Sequence, residues 1–342
     1  MVDEVIFHVG MGKTGTTTIQ KALGAATETL TAAGISYQGM WQPLVSSDYV
    51  GWVGFQKFRL LPAEDLVRAA DTVAQGLTDI ARASSTTRFI FSNEQYFENV
   101  DRMAPFFDRL AQSVPLKILI WVRPVQSWLP SACAQWGIVH KTNRGDVQPF
   151  ADQADRLIGQ YAHLPKWLRL FGDKVTVRRF DDRTDPVADL SRLIGVDLPS
   201  SAARHQTRPD PSELLLRAAF NTQFAEMVLP DAFNAAMGRH RALPGAGQGL
   251  SGRADAILGR DAMEGVIARN AALLAAATEA AGFDVTGDAT ASTHLSDREA
   301  IIDGVLGRAI EVIAGQARDI EDLRRRIALL EGRAADGAAT SA

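Results

Sequence analysis

Between Val5 and Leu23 the chain reads Val-Ile-Phe-His-Val-Gly-Met-Gly-Lys-Thr-Gly-Thr-Thr-Thr-Ile-Gln-Lys-Ala-Leu, a buried strand, a glycine-rich turn and a helix start in one run. Val5, Ile6, Phe7 and Val9 suit a short core strand, and glycines at 10, 12 and 15 let the backbone turn tightly before a cluster of threonines opens a helix. Backbone N–H groups, the positive end of a helix dipole, threonine hydroxyls and the Lys13 ammonium then converge on one small anion, a phosphate above all. An ordinary tight turn would need neither the lysine nor the hydroxyls.

A nucleotide triphosphatase loop is the first rival. It requires a glycine five residues before the Gly-Lys pair, and that position is Phe7. It also requires a later strand ending in Asp to hold magnesium, whereas the best later strand, Lys117-Ile-Leu-Ile-Trp-Val122, ends in Arg123. An arginine there suits a second anion: its planar fork binds phosphate through two parallel hydrogen bonds. The alternative for Arg123 is a surface ion pair. Pro124 breaks the strand and starts a helix predicted over 125–138, which turns Ser131 back toward the same phosphate.

These residues carry a resemblance. Lys13-Thr-Gly-Thr-Thr17 resembles the 5′-phosphosulfate loop of sulfotransferases that use 3′-phosphoadenosine-5′-phosphosulfate (PAPS). Val122-Arg123-Pro-Val-Gln-Ser-Trp-Leu-Pro-Ser131 resembles their 3′-phosphate motif, in which a serine follows the strand-closing arginine by eight residues. Both occur in the family's order, and the likeness spans roughly residues 4 to 285, concentrated at the two motifs. It implies that Gly12, Lys13, Thr14, Gly15, Thr16 and Thr17 hold the phosphosulfate end and that Arg123 and Ser131 hold the 3′-phosphate. Lys13 would also neutralise charge on the bridging oxygen, no metal being needed. Relatives often carry an aromatic residue where Cys133 stands, which leaves the acceptor pocket's shape open.

Arg88-Phe-Ile-Phe-Ser92 reads as another core strand, and Glu94 lies just past its end, where ligands of open parallel sheets gather. The resemblance implies a general base here that deprotonates the acceptor; the alternative is that Glu94 only caps the next helix or pairs with an arginine. His8, His140 and His163 compete for the role, His8 from inside the first strand, where alternation buries it. The acceptor itself, a glycan, lipid or small metabolite with a hydroxyl or amine, is not legible. A nucleotide-dependent kinase and a non-catalytic nucleotide-binding scaffold are the other two readings.

The remaining pattern alternates strands and helices, which predicts an α/β fold with a central, mostly parallel sheet flanked by helices, a P-loop-like three-layer arrangement. Helices are expected over 15–33, 63–83, 105–113, 151–171, 186–194, 213–228 and 254–281, and strands over 35–37 and 175–180. Residues 39–61 read as a loop whose Trp41, Trp52, Phe55 and Phe58 either face substrate with Lys57 and Arg59 or anchor the loop to the core. Lys141 and Arg144, in a polar loop over 140–149, are candidates for an anionic acceptor, and Pro244–Gly252 for a flexible lid.

With 342 residues, 46% hydrophobic and 22% charged, the chain has ample core, and a net charge of −4 without a basic stripe argues against a nucleic-acid partner. Met1-Val-Asp-Glu runs straight into the first strand without a basic, apolar leader, and no apolar run reaches membrane-spanning length, so a cytoplasmic, non-transmembrane protein is expected. A single cysteine, Cys133, allows no internal disulfide and no cysteine-built metal site. The expected organisation is an α/β domain over 1–285, a helix over 294–332 and a disordered tail over 333–342. In that helix Leu306, Ile313, Ile320 and Ile327 occupy heptad a positions and Ala309, Gln316, Leu323 and Leu330 the d positions. The seam either joins two chains as a homodimer through 302–331 or folds back onto the parent core.

Overall fold

The computed structural model describes residues 1–181, 185–199, 211–237, 262–287 and most positions of 301–327. The expected Pro244–Gly252 lid and 333–342 tail lie outside them. Five parallel strands form the sheet: β1 (Glu4–His8), β2 (Ile35–Gly39), β3 (Arg88–Ser92), β4 (Leu116–Val122) and β5 (Val175–Arg179), in the order β2-β3-β1-β4-β5. β1 is central because its side chains are buried on both faces, as the unbroken apolar run requires. Strand alternation sorts them: Phe7 stacks on its register partner Phe91 with ring centroids 4.4 Å apart, while Ile6 and Ile90 face the other layer.

α1 (Thr16–Ala25) and α2 (Thr27–Ala32) follow β1, and Leu23, Leu30 and Ile35 join Ile6 and Trp121 in the layer that α1 shares with α10 (Pro186–Ile194). The expected single helix over 15–33 breaks at Ala26, whose ψ of 17° leaves the helical region. On the other face lie α4 (Ala63–Ala83), α6 (Val100–Ser113) and α9 (His163–Phe171), packed through Phe106, Phe107 and Trp167. The stretch 39–61 is not a plain loop: α3 (Gly51–Arg59) forms there and buries Phe55 and Phe58, leaving Trp52 exposed. α5 (Gln95–Glu98) precedes α6. α7 (Val125–Cys133) gives way to a wider π-helical turn over 134–139, and 151–171 divides into α8 (Phe150–Leu157), a 3₁₀ stretch and α9. At the amino edge of the sheet, Glu4 on β1 accepts from Arg88 on β3 at 2.9 Å and from Lys117 on β4 at 2.7 Å, tying the three central strands. No helix among the described residues is long and apolar enough to cross a membrane.

The chain divides into two compact units, 1–132 with 154–207 and 263–292, and 133–153 with 208–262 and 293–342. The first holds the sheet, α13 (Met263–Arg269) and α14 (Ala271–Ala281). The second contains α11 (Pro211–Asn221) and α12 (Pro230–Met237), and its core gathers Ile138, Leu214, Leu215, Phe220, Phe233, Ile301 and Val305. Here Lys141 is not a loop cation open to an acceptor. It is fully buried, its ammonium donates to the carbonyls of Gly145 and Phe224, and its backbone bridges Val228. Arg144 pairs at the surface with Glu226.

Candidate functional site

The chain leaves β1 toward β2 and leaves β4 toward β5, so the two carboxyl ends diverge and open a crevice between them, the usual place for ligands in such sheets. The 9–15 loop forms one wall. Val9 and Met11 donate to the carbonyls of Leu119 and Trp121, at 3.0 and 3.3 Å, so the loop keeps to the end of β4. Lys13 then takes a left-handed backbone, φ 66°, the only non-glycine among the described residues to do so, and Gly15 follows at φ 83°. That conformation costs a non-glycine residue about 1–2 kcal/mol, and successive turns of this kind line up N–H groups into an anion-binding concavity.

The Thr14 hydroxyl closes the turn on the Met11 carbonyl. Gly15 is required where it stands, because a Cβ would lie 2.8 Å from Pro186 Cγ as well as at positive φ. α1 begins at Thr16 with no side chain capping its first N–H groups. Thr16 Oγ1 is buried with no hydrogen-bond partner among the described residues, an orphaned polar atom at the mouth of an anion cradle. Lys13 and Thr17 are half-buried.

Arg123, also half-buried, forms the other wall. Its Nε donates to Ser127 Oγ at 3.1 Å, its guanidinium carbon lies 5.6 Å from the Phe180 ring centroid, and its carbonyl accepts from the Tyr161 hydroxyl. Ser131 is one helical turn beyond Ser127 on the same face of α7, so arginine and both hydroxyls form one polar strip. The first N–H groups of α7 are already used: Val125 and Gln126 donate to the carbonyls of Val285 and Thr286, at 2.8 and 3.2 Å. An anion at this wall therefore depends on the side chains.

The two walls touch. The Trp128 indole N–H, from α7, donates to the Gly12 carbonyl at 2.8 Å, and Phe180, which carries Arg123, also lies 3.4 Å from the position of a Cβ on Gly15. Motifs more than a hundred residues apart thus share one aromatic floor.

Glu94 stands at the same edge, since Asn93 N–H donates to the His8 carbonyl and prolongs the pairing of β3 with β1. Gln20, one turn behind Thr16 on α1, donates to the Ser92 carbonyl at 3.0 Å and to Glu94 Oε2 at 3.4 Å. Burial pushes the Glu94 carboxyl above its usual range, its own N–H and the Gln20 amide pulling it partly back. Burial and the charge of Glu94 push the neighbouring Tyr37 hydroxyl up to about 12. Glu94 caps no helix through its side chain. It is a desolvated carboxylate of raised basicity at the rim of the crevice.

His8 is a core residue. Its Nδ1 lies 2.8 Å from Ser92 Oγ, its ring meets Trp121 edge-on, and its Nε2 faces the backbone of Gly10, 2.5 Å from where a Cβ would stand. Burial lowers its pKa to about 3, so it stays neutral. His163, at the start of α9, packs edge-on to Phe97 of α5, and His140 belongs to the second unit. Among the described residues no three of His, Cys, Asp and Glu gather as metal ligands.

Sequence reasoning missed Gln20, Ser127, Trp128, Tyr161 and Phe180. Gln20 and Ser127 had a local signal, their helical spacing from Thr16 and Ser131. Compared with known proteins, the chain matches no protein-family model and no curated protein.

Proposed function

We propose that the protein transfers the sulfuryl group of PAPS to a hydroxyl or amine of a glycan, lipid or small metabolite in the cytoplasm. The observation that carries this reading is the contact of the two anion-holding walls through Trp128 and Phe180. Such a pair suits a nucleotide with anionic groups at both its 5′ and 3′ positions; a 5′-triphosphate would place its charge at the cradle alone. Thr16, Thr17 and the backbone of the 12–15 turn hold the 5′-phosphate, and Arg123 with Ser127 and Ser131 holds the 3′-phosphate. Glu94 accepts the acceptor's proton as the acceptor atom bonds to sulfur. The bond from sulfur to the bridging oxygen breaks, adenosine 3′,5′-bisphosphate departs, and Lys13 balances the charge that grows on that oxygen.

Isothermal titration with adenosine 3′,5′-bisphosphate, set against ATP with magnesium, tests the reading. Metal-independent binding of the bisphosphate is expected, and a preference for ATP with magnesium would replace the reading with a kinase. Arg123→Ala is expected to weaken bisphosphate binding by about 2–4 kcal/mol, through loss of a charge-assisted fork. An unchanged affinity in the same titration would remove Arg123 from the site.

Glu94→Gln tests the base. Because its carboxyl is raised, the wild-type rate should climb with pH as Glu94 ionises and level off above that value. The glutamine variant should lose about 10²–10⁴-fold in kcat together with that acidic limb. A variant that keeps both the rate and the limb would exclude Glu94.

A further inference from the structure

The C-terminal helix starts as part of the second unit and then outgrows it. Ile301 and Val305 are buried in that unit's core, Arg308 Nε lies 3.4 Å from Ser212 Oγ, and a Cβ on Gly304 would stand 2.8 Å from the same hydroxyl. Every described position of 301–327 is helical. From Leu306 onward the apolar side turns outward: Leu306 is 55% exposed, Ile313 61%, Ile320 50%, Leu323 55% and Ile327 53%. These residues are four a positions and one d position of a heptad seam. The described a positions, with Leu323 at d, thus stay exposed, while the d residues Ala309 and Gln316 are half-buried and the first turn of the same helix is buried in the parent core. A helix of this length holds together in water by burying such a stripe, not by propensity alone.

We propose that the seam is covered by the same helix of a second copy, in a parallel, in-register two-stranded coil. Ile at three successive a positions, 313, 320 and 327, with Leu at d positions 323 and 330, is the pattern that favours two strands. The flanking charges choose the orientation. In parallel register Asp319 at g meets Arg324 of the partner subunit at e, and Arg326 meets Glu331 of the partner subunit, so twofold symmetry makes all four contacts attractive. Ile310, Ala317, Leu330 and Glu331 lie outside the described residues and are placed by the sequence register alone. Gln316, the polar d residue, faces the partner's Gln316 in this register, where two side-chain amides can donate to each other. Toward the N-terminus the flanks turn apolar, with Val305 and Val312 at g and Ile310 and Ala317 at e. Val305 is already claimed by the core of its own unit, so the coil opens near Leu306. The inference is independent of the reaction assigned to the sheet edge.

Sedimentation equilibrium of the full chain should give the mass of two subunits. The variant Ile313→Lys/Ile320→Lys leaves Ile301 and Val305 in place and should weaken association by at least about 1,000-fold, because it sets four unpaired charges in the seam. Its near-ultraviolet circular dichroism should be unchanged, all six tryptophans lying before residue 168, which shows that the remainder is folded. Ile320→Cys reports orientation, since the native Cys133 is buried: mild oxidation should link parallel, in-register chains into a disulfide dimer. A monomeric wild-type chain, a species of three or four subunits, a double variant still fully dimeric, or an Ile320→Cys dimer that cannot be oxidised would each overturn the proposal.

Discussion

Lys13→Ala is expected to lower kcat by about 10²–10³-fold, the usual loss when one preorganised donor is removed from a developing anion. The affinity for adenosine 3′,5′-bisphosphate should change by less than about tenfold, because the ammonium acts most strongly on charge that appears only during transfer. The backbone offers a control. Lys13 holds φ 66°, so alanine inherits the left-handed conformation and its cost, whereas Lys13→Gly removes both the ammonium and that cost. The two variants should be equally slow, with the glycine variant the more stable in thermal unfolding. Steady-state kinetics beside titration separates the effects. Wild-type turnover in the alanine variant would take Lys13 out of the mechanism, and a collapse of bisphosphate affinity with turnover per bound complex intact would make it a binding residue only.

The largest effect on stability should come from Asp189. This buried carboxylate on α10 accepts from the Trp121 indole at 3.1 Å, from Arg178 Nε and Nη2 at 3.0 and 2.6 Å, and from Arg192 at 3.2 Å. Arg178 and Arg192 keep contact with water, so little of the energy resides in their charges. Trp121 has no such recourse: fully buried, it would keep an indole N–H with no acceptor in Asp189→Ala. A loss of about 2–3 kcal/mol is expected in urea unfolding. A loss below about 0.5 kcal/mol would show that the network contributes little. Burial opposes ionisation of Asp189, but hydrogen bonds from Arg178 and Arg192, with the Arg178 charge and the Trp121 N–H, outweigh it and hold the pKa below the aspartate range. Its stabilising contribution is therefore complete above the ordinary value of about 3.9 and disappears as pH falls through the depressed one. The effect reaches the cradle, because the same helix carries Pro186 against Gly15.

What was legible in the sequence was local. The strand, turn and helix at 5–23, the strand ending in Arg123 and the carboxylate past Ser92 each lie within one continuous segment, and each took the expected place at one sheet edge. The partners that shape the site are set by pairing between distant segments. Phe180 comes beneath Arg123 because Val122 registers with Arg179, a fact of the sheet that neither segment states alone. The left-handed backbone of Lys13 was hidden for another reason: lysine rarely adopts it, so composition pointed to glycine at the turn and to lysine only as a charge. Residues 39–61 misled because their Gly, Pro and Ser content hid the spacing of Phe55 and Phe58, three apart on the buried side of α3. Lys141 misled because a lysine in a polar loop is ordinarily solvated, whereas here backbone carbonyls satisfy its ammonium internally.

The strand order carries one more consequence. The cradle hangs from the end of β1 and the arginine from the end of β4, and these strands are hydrogen-bonded neighbours, about 4.8 Å apart by the geometry of any sheet. The gap between the two walls is thus gauged by the backbone, as the jaws of a caliper are gauged by its frame. Side-chain substitutions can blunt either jaw but cannot reset the opening. Even a slip in strand register would only offset the jaws along the strands, and it would turn every buried residue of the slipped strand to the opposite face.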